Sequence, residues 1–306
     1  MKYLNKILLL VLFFLNIISA QEKSDSSAIA LESELFSPSR VDRLFSIQTG
    51  DVLQSGDFNV SLGGAFGMTG VQGILGTLNL GLGGYGDLEL SSASLIGSVF
   101  GSDESFAHIG MKIKIFSEEE SIPAMSIGLK TNNSWNSSSL SHGDIQSTAP
   151  ELYIDGVRSV DYNSRITQAY ISLSKALNNK IRLNLGVSFS DIRYKDVYTW
   201  YNDYMSYYQN ELEEQVNSFN IFGGIDLKLN SRTSFMFEIQ SIPYLNVNTD
   251  NGNIFAERIV AGSVGLRFVI KNWLMIDSGA RYQDNYKGLA DTELKIGVIG
   301  VWNFQF

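Results

Sequence analysis

From Asp57 to Phe306 the chain repeats one pattern, an apolar residue at every second position, in stretches of about ten to fifteen residues. Leu183, Leu185, Val187 and Phe189 alternate with Arg182, Asn184, Gly186, Ser188 and Ser190. Phe219, Ile221, Gly223, Ile225, Leu227 and Leu229 alternate in the same way with Asn220, Phe222, Gly224, Asp226 and Lys228. Successive side chains of a strand point to opposite faces, so each stretch predicts a strand with one greasy face and one small or polar face. Twelve candidates follow, at 57–67, 76–83, 87–99, 105–117, 122–132, 164–177, 181–194, 216–229, 232–242, 256–270, 273–283 and 292–306. A soluble sandwich alternates too, but its strands usually run about 5 or 6 residues, whereas crossing a ~25 Å apolar band at ~40° takes about 9 to 11. These stretches are long enough to cross.

The connections carry a second signal. From the fourth candidate onward, short links at 118–121, 178–180, 230–231 and 271–272 alternate with long ones at 132–163, 195–215, 243–255 and 284–291. At the carboxyl end, Val298, Gly300, Trp302, Phe304 and Phe306 share one face of a strand that stops at an aromatic residue. In these features the chain resembles bacterial outer-membrane β-barrel proteins. The resemblance implies an all-β, transmembrane antiparallel barrel of about twelve strands (ten to fourteen), set among outer-membrane lipids, with short turns on the periplasmic side. It further implies that Trp302, Phe304 and Phe306 form the signal read by the barrel-assembly machinery.

The amino terminus fits export. Lys2 and Lys6 precede the apolar run Ile7 to Leu15, and small residues follow up to Ala20. This is the pattern of a secretory leader cleaved after Ala20, and the apolar run is too short for a membrane helix. Removing the leader takes two lysines and moves the formal charge from −9 to −11. That acidic balance excludes nucleic acid as a partner, because phosphate binding needs a basic surplus. The absence of cysteine excludes disulfide staples, thiolate metal sites and cysteine nucleophiles. The chain thus divides into a leader (1–20), a segment 21–56 and a barrel (57–306). Within the middle segment, Leu31, Leu35, Phe36 and Leu44 are the larger apolar residues, and the stretch reads either as a periplasmic lead-in or as a short plug entering the lumen.

If the apolar faces meet lipid, the opposite faces line the lumen. By phase these carry Lys112, Lys114, Lys130, Arg182, Lys228, Arg267, Arg281 and Lys295, against the acids Asp226, Glu238 and Asp277. Eight bases against three acids predict a lumen that favours anions, since rings of basic groups do so in pores; pairing across a filled interior is the competing reading. Glycine and serine at many inward positions argue for open space. Between Lys195 and Gln215, the positions Tyr194, Tyr198, Tyr201, Met205, Tyr208 and Leu212 follow helical spacing, so the segment reads as an amphipathic, turn-rich loop. Tyr198, Trp200, Tyr201 and Tyr204 are its candidate ligand contacts, with packing on the rim as the alternative.

The two histidines, His108 on a strand and His142 beside Asp144 on the longest loop, have no ordered nucleophile or base nearby in sequence, so neither catalysis nor a metal or other cofactor is expected. Gly81 to Gly86 superficially resembles a dinucleotide fingerprint, but no β-α-β pattern surrounds it. The expected function is a channel for passive diffusion of small hydrophilic solutes, anions among them. The alternatives are a closed barrel serving as a surface scaffold or adhesin through its loops and, third, a rim hydrolase.

Overall fold

The computed structural model describes residues 43–67, 70–92, 107–131, 136–141, 157–201, 206–210, 214–247, 254–284 and 292–304. The alternating stretches are all strands: β1 (Asp57–Gly67), β2 (Gly70–Leu82), β3 (Gly86–Ser92), β4 (Ala107–Phe116), β5 (Ala124–Thr131), β6 (Asn136–Ser141) and β7 (Val157–Ala176). There follow β8 (Ile181–Tyr201), β9 (Ser206–Asn210), β10 (Glu214–Asn230), β11 (Thr233–Val247), β12 (Ile254–Lys271), β13 (Leu274–Gln283) and β14 (Glu293–Asn303). Each pairs antiparallel with its neighbours, β1 pairs with β14, and β7 pairs with β8, which closes the sheet on itself. The wall has twelve strands, because β6 pairs with β7 beyond β5, and β9 pairs with β8 beyond β10.

Closure leaves no open edge, and the outer surface shows what surrounds it. On β4, Ile109, Met111, Ile113 and Ile115 point outward and are 43–64% exposed. Every one of the twelve wall strands presents at least one such residue, from Leu62 on β1 through Ile171 on β7 to Val298 on β14. A continuous exposed apolar belt is untenable in water and is the outer face of a membrane barrel. At the end carrying the short turns, Trp273 stacks on Trp302 at 6.3 Å, Phe58 lies 6.2 Å from Trp302 and 6.1 Å from Phe304, and the Lys271 ammonium sits 5.8 Å from the Trp273 ring. Such aromatic rings with a flanking lysine suit the boundary between hydrocarbon and water.

Short turns at Gly83–Tyr85, 177–180, 231–232 and 272–273 all lie at that end, together with the link 117–123. At the opposite end β7 and β8, of 20 and 21 residues, run far past the roughly 9 to 11 residues that a crossing needs. Here the expectation of an amphipathic, turn-rich segment over 195–215 is corrected: its first part is strand β8, and 206–210 is strand β9. Backbone partners explain the difference. Val157 to Asp161 of β7 pair with Tyr198 to Tyr201 of β8, which gives this backbone ladder partners, and the helical spacing of the tyrosines coincides with aromatic residues that also favour extended chain.

Candidate functional site

The inner face is occupied by the chain's own residues 43–55. They enter the ring as a tight reversal, with a bridge between Arg43 and Gln48 and a hydrogen bond from the Leu44 amide to the Ile47 carbonyl at 3.1 Å. From Gln48 the chain runs down the wall to the short-turn end. There the Asp57 amide donates to the Gln54 carbonyl at 3.1 Å, the Asp57 carboxylate accepts from the Gln54 amide at 3.1 Å, and the chain passes into β1. Gly56 makes that corner at φ 75°, a left-handed conformation costly for other residues, and a β-carbon there would strike the Phe304 carbonyl oxygen.

Glycines of the wall form the seat. A β-carbon at Gly224 would lie 2.5 Å from Leu44 and 2.9 Å from Ile47; one at Gly265 or Gly279 would lie 2.7 Å or 3.0 Å from the Phe45 ring. At Gly81 it would meet Leu53 at 2.8 Å. Leu44 and Ile47 pack with Tyr170, Phe222 and Met236 into a buried apolar cluster flanked by Phe45. The inward glycines are therefore filled positions rather than open space, which corrects the sequence expectation.

Polar wall groups hold the segment's backbone. Arg267, bound to Asp277 through two 2.8 Å contacts, donates to the carbonyls of Leu44 at 3.0 Å and Arg43 at 3.3 Å. Glu238, only 1% exposed, accepts from the amides of Ser46 at 2.9 Å and Ile47 at 3.3 Å and from the Ser46 hydroxyl. Ser172 and Ser126 donate to the Thr49 carbonyl at 2.8 and 3.3 Å; Ser174 accepts from the Gly50 amide at 2.7 Å. Asp87 accepts from the Leu53 amide at 2.7 Å, and Asn303 donates to the Ser55 carbonyl at 3.3 Å.

The residues assigned to the lumen by phase all sit on inward-phase positions, but the charge surplus expected of them does not survive. Lys112 pairs with Asp87 at 3.2 Å, Lys130 with Glu89 at 2.7 Å, Arg281 with Glu293 at 4.0 Å and Lys295 with Glu238 at 3.5 Å. Arg182 reaches Asp51 of the inserted segment at 2.7 Å and Glu118 of a short turn at 2.9 Å. Asp226 stands directly across from Arg182 in register. Lys114 lies 6.0 Å from the Tyr85 ring, and Lys228 shares the inward phase two residues before the end of β10. Asp57, Asp87, Glu89 and Glu293 are wall acids the count left out; the segment adds the acid Asp51 and the base Arg43, which lies 3.7 Å from Glu89. Their signal was present: Asp87 and Glu89 alternate with Leu88 and Leu90, but the Gly-rich first strands hid which phase faced in.

Asp51 sits at the short-turn rim beside Glu118, where burial raises its carboxyl pKa above the ordinary value while Arg182 and Lys112 pull it down. Of the remaining candidates, Tyr198, Trp200 and Tyr201 belong to the β8 extension, and Tyr204 lies outside the described residues. Trp302 and Phe304 join the aromatic boundary; Phe306 and His142 are outside the described residues, and His108 lies on β4.

No family model matches the chain, and no curated protein matches it. Among solved structures it is similar to the CymD monoaromatic hydrocarbon channel, with TM-score 0.39 and 9% identity over 83% of this chain and 90% of that one. It is also similar to the KdgM porin in complex with disordered oligogalacturonate, with TM-score 0.42 and 7% identity over 81% and 99%. A third likeness is to the translocator domain of autotransporter NalP from Neisseria meningitidis, with TM-score 0.42 and 11% identity over 82% and 86%.

Proposed function

We propose that this chain is an outer-membrane channel for small hydrophilic solutes, exported by a leader removed after Ala20, inserted among outer-membrane lipids by the barrel-assembly machinery, and closed in its short-turn half by residues 43–55. One observation carries the reading: what obstructs the lumen is a single continuous segment hung on the wall by hydrogen bonds and glycine seats. A barrel that is merely structural fills its interior with its own interlocking wall side chains. A preference for anions has less support than the channel itself, because six of the eight inward cations meet carboxylates. The aromatic strand end with Tyr198, Trp200 and Tyr201 then stands at the outer mouth, where it would meet solutes first.

The long β7 and β8 favour a second reading, in which the barrel stays closed and displays this projecting sheet as a scaffold. Conductance in planar bilayers separates the two. The full chain is expected to conduct rarely, and Leu44→Asp combined with Ile47→Asp, which puts two charges into the apolar cluster, to conduct steadily. Silence from both, with the barrel intact by its gel shift on heating, leaves the scaffold.

A further inference from the structure

The wall reads a main chain. Along residues 43–53 it offers a donor for a carbonyl (Arg267), an acceptor for amides (Glu238), donors for a carbonyl (Ser126, Ser172), then acceptors for amides (Ser174, Asp87). That alternation matches the polarity of a polypeptide that turns back at 44–47 and then runs on along the wall. A hydrocarbon in the same place would leave Glu238 and Arg267 without these partners at large cost, and a sugar has no amide series to offer. Between the polar groups lie side-chain seats: the apolar cluster for Leu44 and Ile47, the Gly265 and Gly279 dent for Phe45, and a point at Gly50 with no room for a side chain. A β-carbon on Gly50 would stand 2.5 Å from the Ala124 carbonyl oxygen and 2.8 Å from the Ser174 amide nitrogen.

On the reading that the segment can leave the lumen, we infer that its seat is a peptide-binding site, for which residues 43–55 are the built-in occupant and short peptides of other origin that take up the same reversal are the external ligands. The seat selects an apolar residue, an aromatic one, an apolar one two positions on and a glycine three beyond that, the spacing of Leu44, Phe45, Ile47 and Gly50. Backbone recognition supplies affinity and the dents supply selection, the division found where extended peptides add to protein surfaces.

The test uses the full chain with its segment unseated, by Leu44→Asp with Ile47→Asp or, separately, by Gly50→Val. Release is read by protease cutting within 43–55, and barrel integrity by the gel shift on heating. A fluorescent synthetic peptide with the sequence of residues 43–56 is then titrated in detergent and followed by anisotropy. Saturable binding is expected, at least tenfold tighter than for a scrambled peptide or one carrying Gly50→Val, and at least tenfold weaker when Glu238→Gln is added to the unseated chain. Equal binding of the scrambled peptide overturns the inference, as does absence of binding to a chain whose segment is released. A segment that stays protected in both variants overturns it as well. Anisotropy needs no current, so a chain that binds peptide yet never conducts would defeat the channel reading and leave the peptide site standing.

Discussion

At the level of single residues, the interior is a set of buried charges that are tolerable only in company. Arg267 is the most connected, since it holds Asp277 on the wall and two carbonyls of the inserted segment. Arg267→Met should cost about 3–5 kcal/mol, because it strands a buried carboxylate as well as removing bonds. Unfolding in urea after reconstitution would measure this, and a loss under 1 kcal/mol would show that water reaches Asp277. Glu238→Gln keeps the shape and removes the charge, so a loss of roughly 1.5–3 kcal/mol is expected in the same measurement, the range for hydrogen bonds to charged groups. Ser126 and Ser172 present a different arithmetic. Ser172 donates to the Thr49 carbonyl at 2.8 Å, and the single Ser126 proton is placed to reach either that carbonyl at 3.3 Å or the Ser172 oxygen at 2.8 Å. Either alone can satisfy Thr49, so each serine-to-alanine change should cost about 0.5 kcal/mol or less and the pair more than the sum, a coupling that a double-mutant cycle in urea would detect.

Among the elements, the sequence made the strands legible because each carries its own evidence, a period of two over a length that crosses a bilayer. Boundaries expected at 57–67 and 273–283 match β1 (Asp57–Gly67) and fall within a residue of β13 (Leu274–Gln283). The twelve-strand wall and the gathering of the short turns at one end were readable for the same local reason. What was not readable depends on partners far away in sequence. Tyr194 to Leu212 obeys helical spacing until β7 supplies a backbone ladder, and no pattern within 195–215 announces that β7 will do so. The seat for residues 43–55 is more remote still: Leu44 meets Gly224, and Ser46 meets Glu238 across 192 residues. Glycine on an inward face means empty room or an occupied dent, and only the occupant decides. Ser231, in the short turn after β10, and Asn210, at the end of β9, provide the matching topological prediction. In a chain with no cysteine of its own, Asn210→Cys should react with an impermeant thiol reagent on intact cells. Ser231→Cys should react only after the outer membrane is permeabilised; the opposite result would invert the barrel.

For the molecule as a whole, the neutral mean hydropathy of +0.01 is the average of an apolar exterior and a polar interior, and the acidic net charge says little about a lumen whose charges nearly balance. Lipid outside and a threaded segment inside are both satisfied by one closed sheet. The closing contact is the ladder between β1 and β14, which joins Asp57 to Asn303 across almost the entire chain. Contacts between such distant residues form late, because the intervening loop has to be brought together first. Residues 43–55 run directly into β1 through the corner at Gly56, so the strand that seals the ring arrives with the segment attached. Sealing the ring thus carries the segment to its seat, because seam and segment are one continuous stretch of chain. Thereafter any pull on the amino-terminal side of Arg43 acts first on the hydrogen bonds of the reversal and then, through Gly56, on the seam itself.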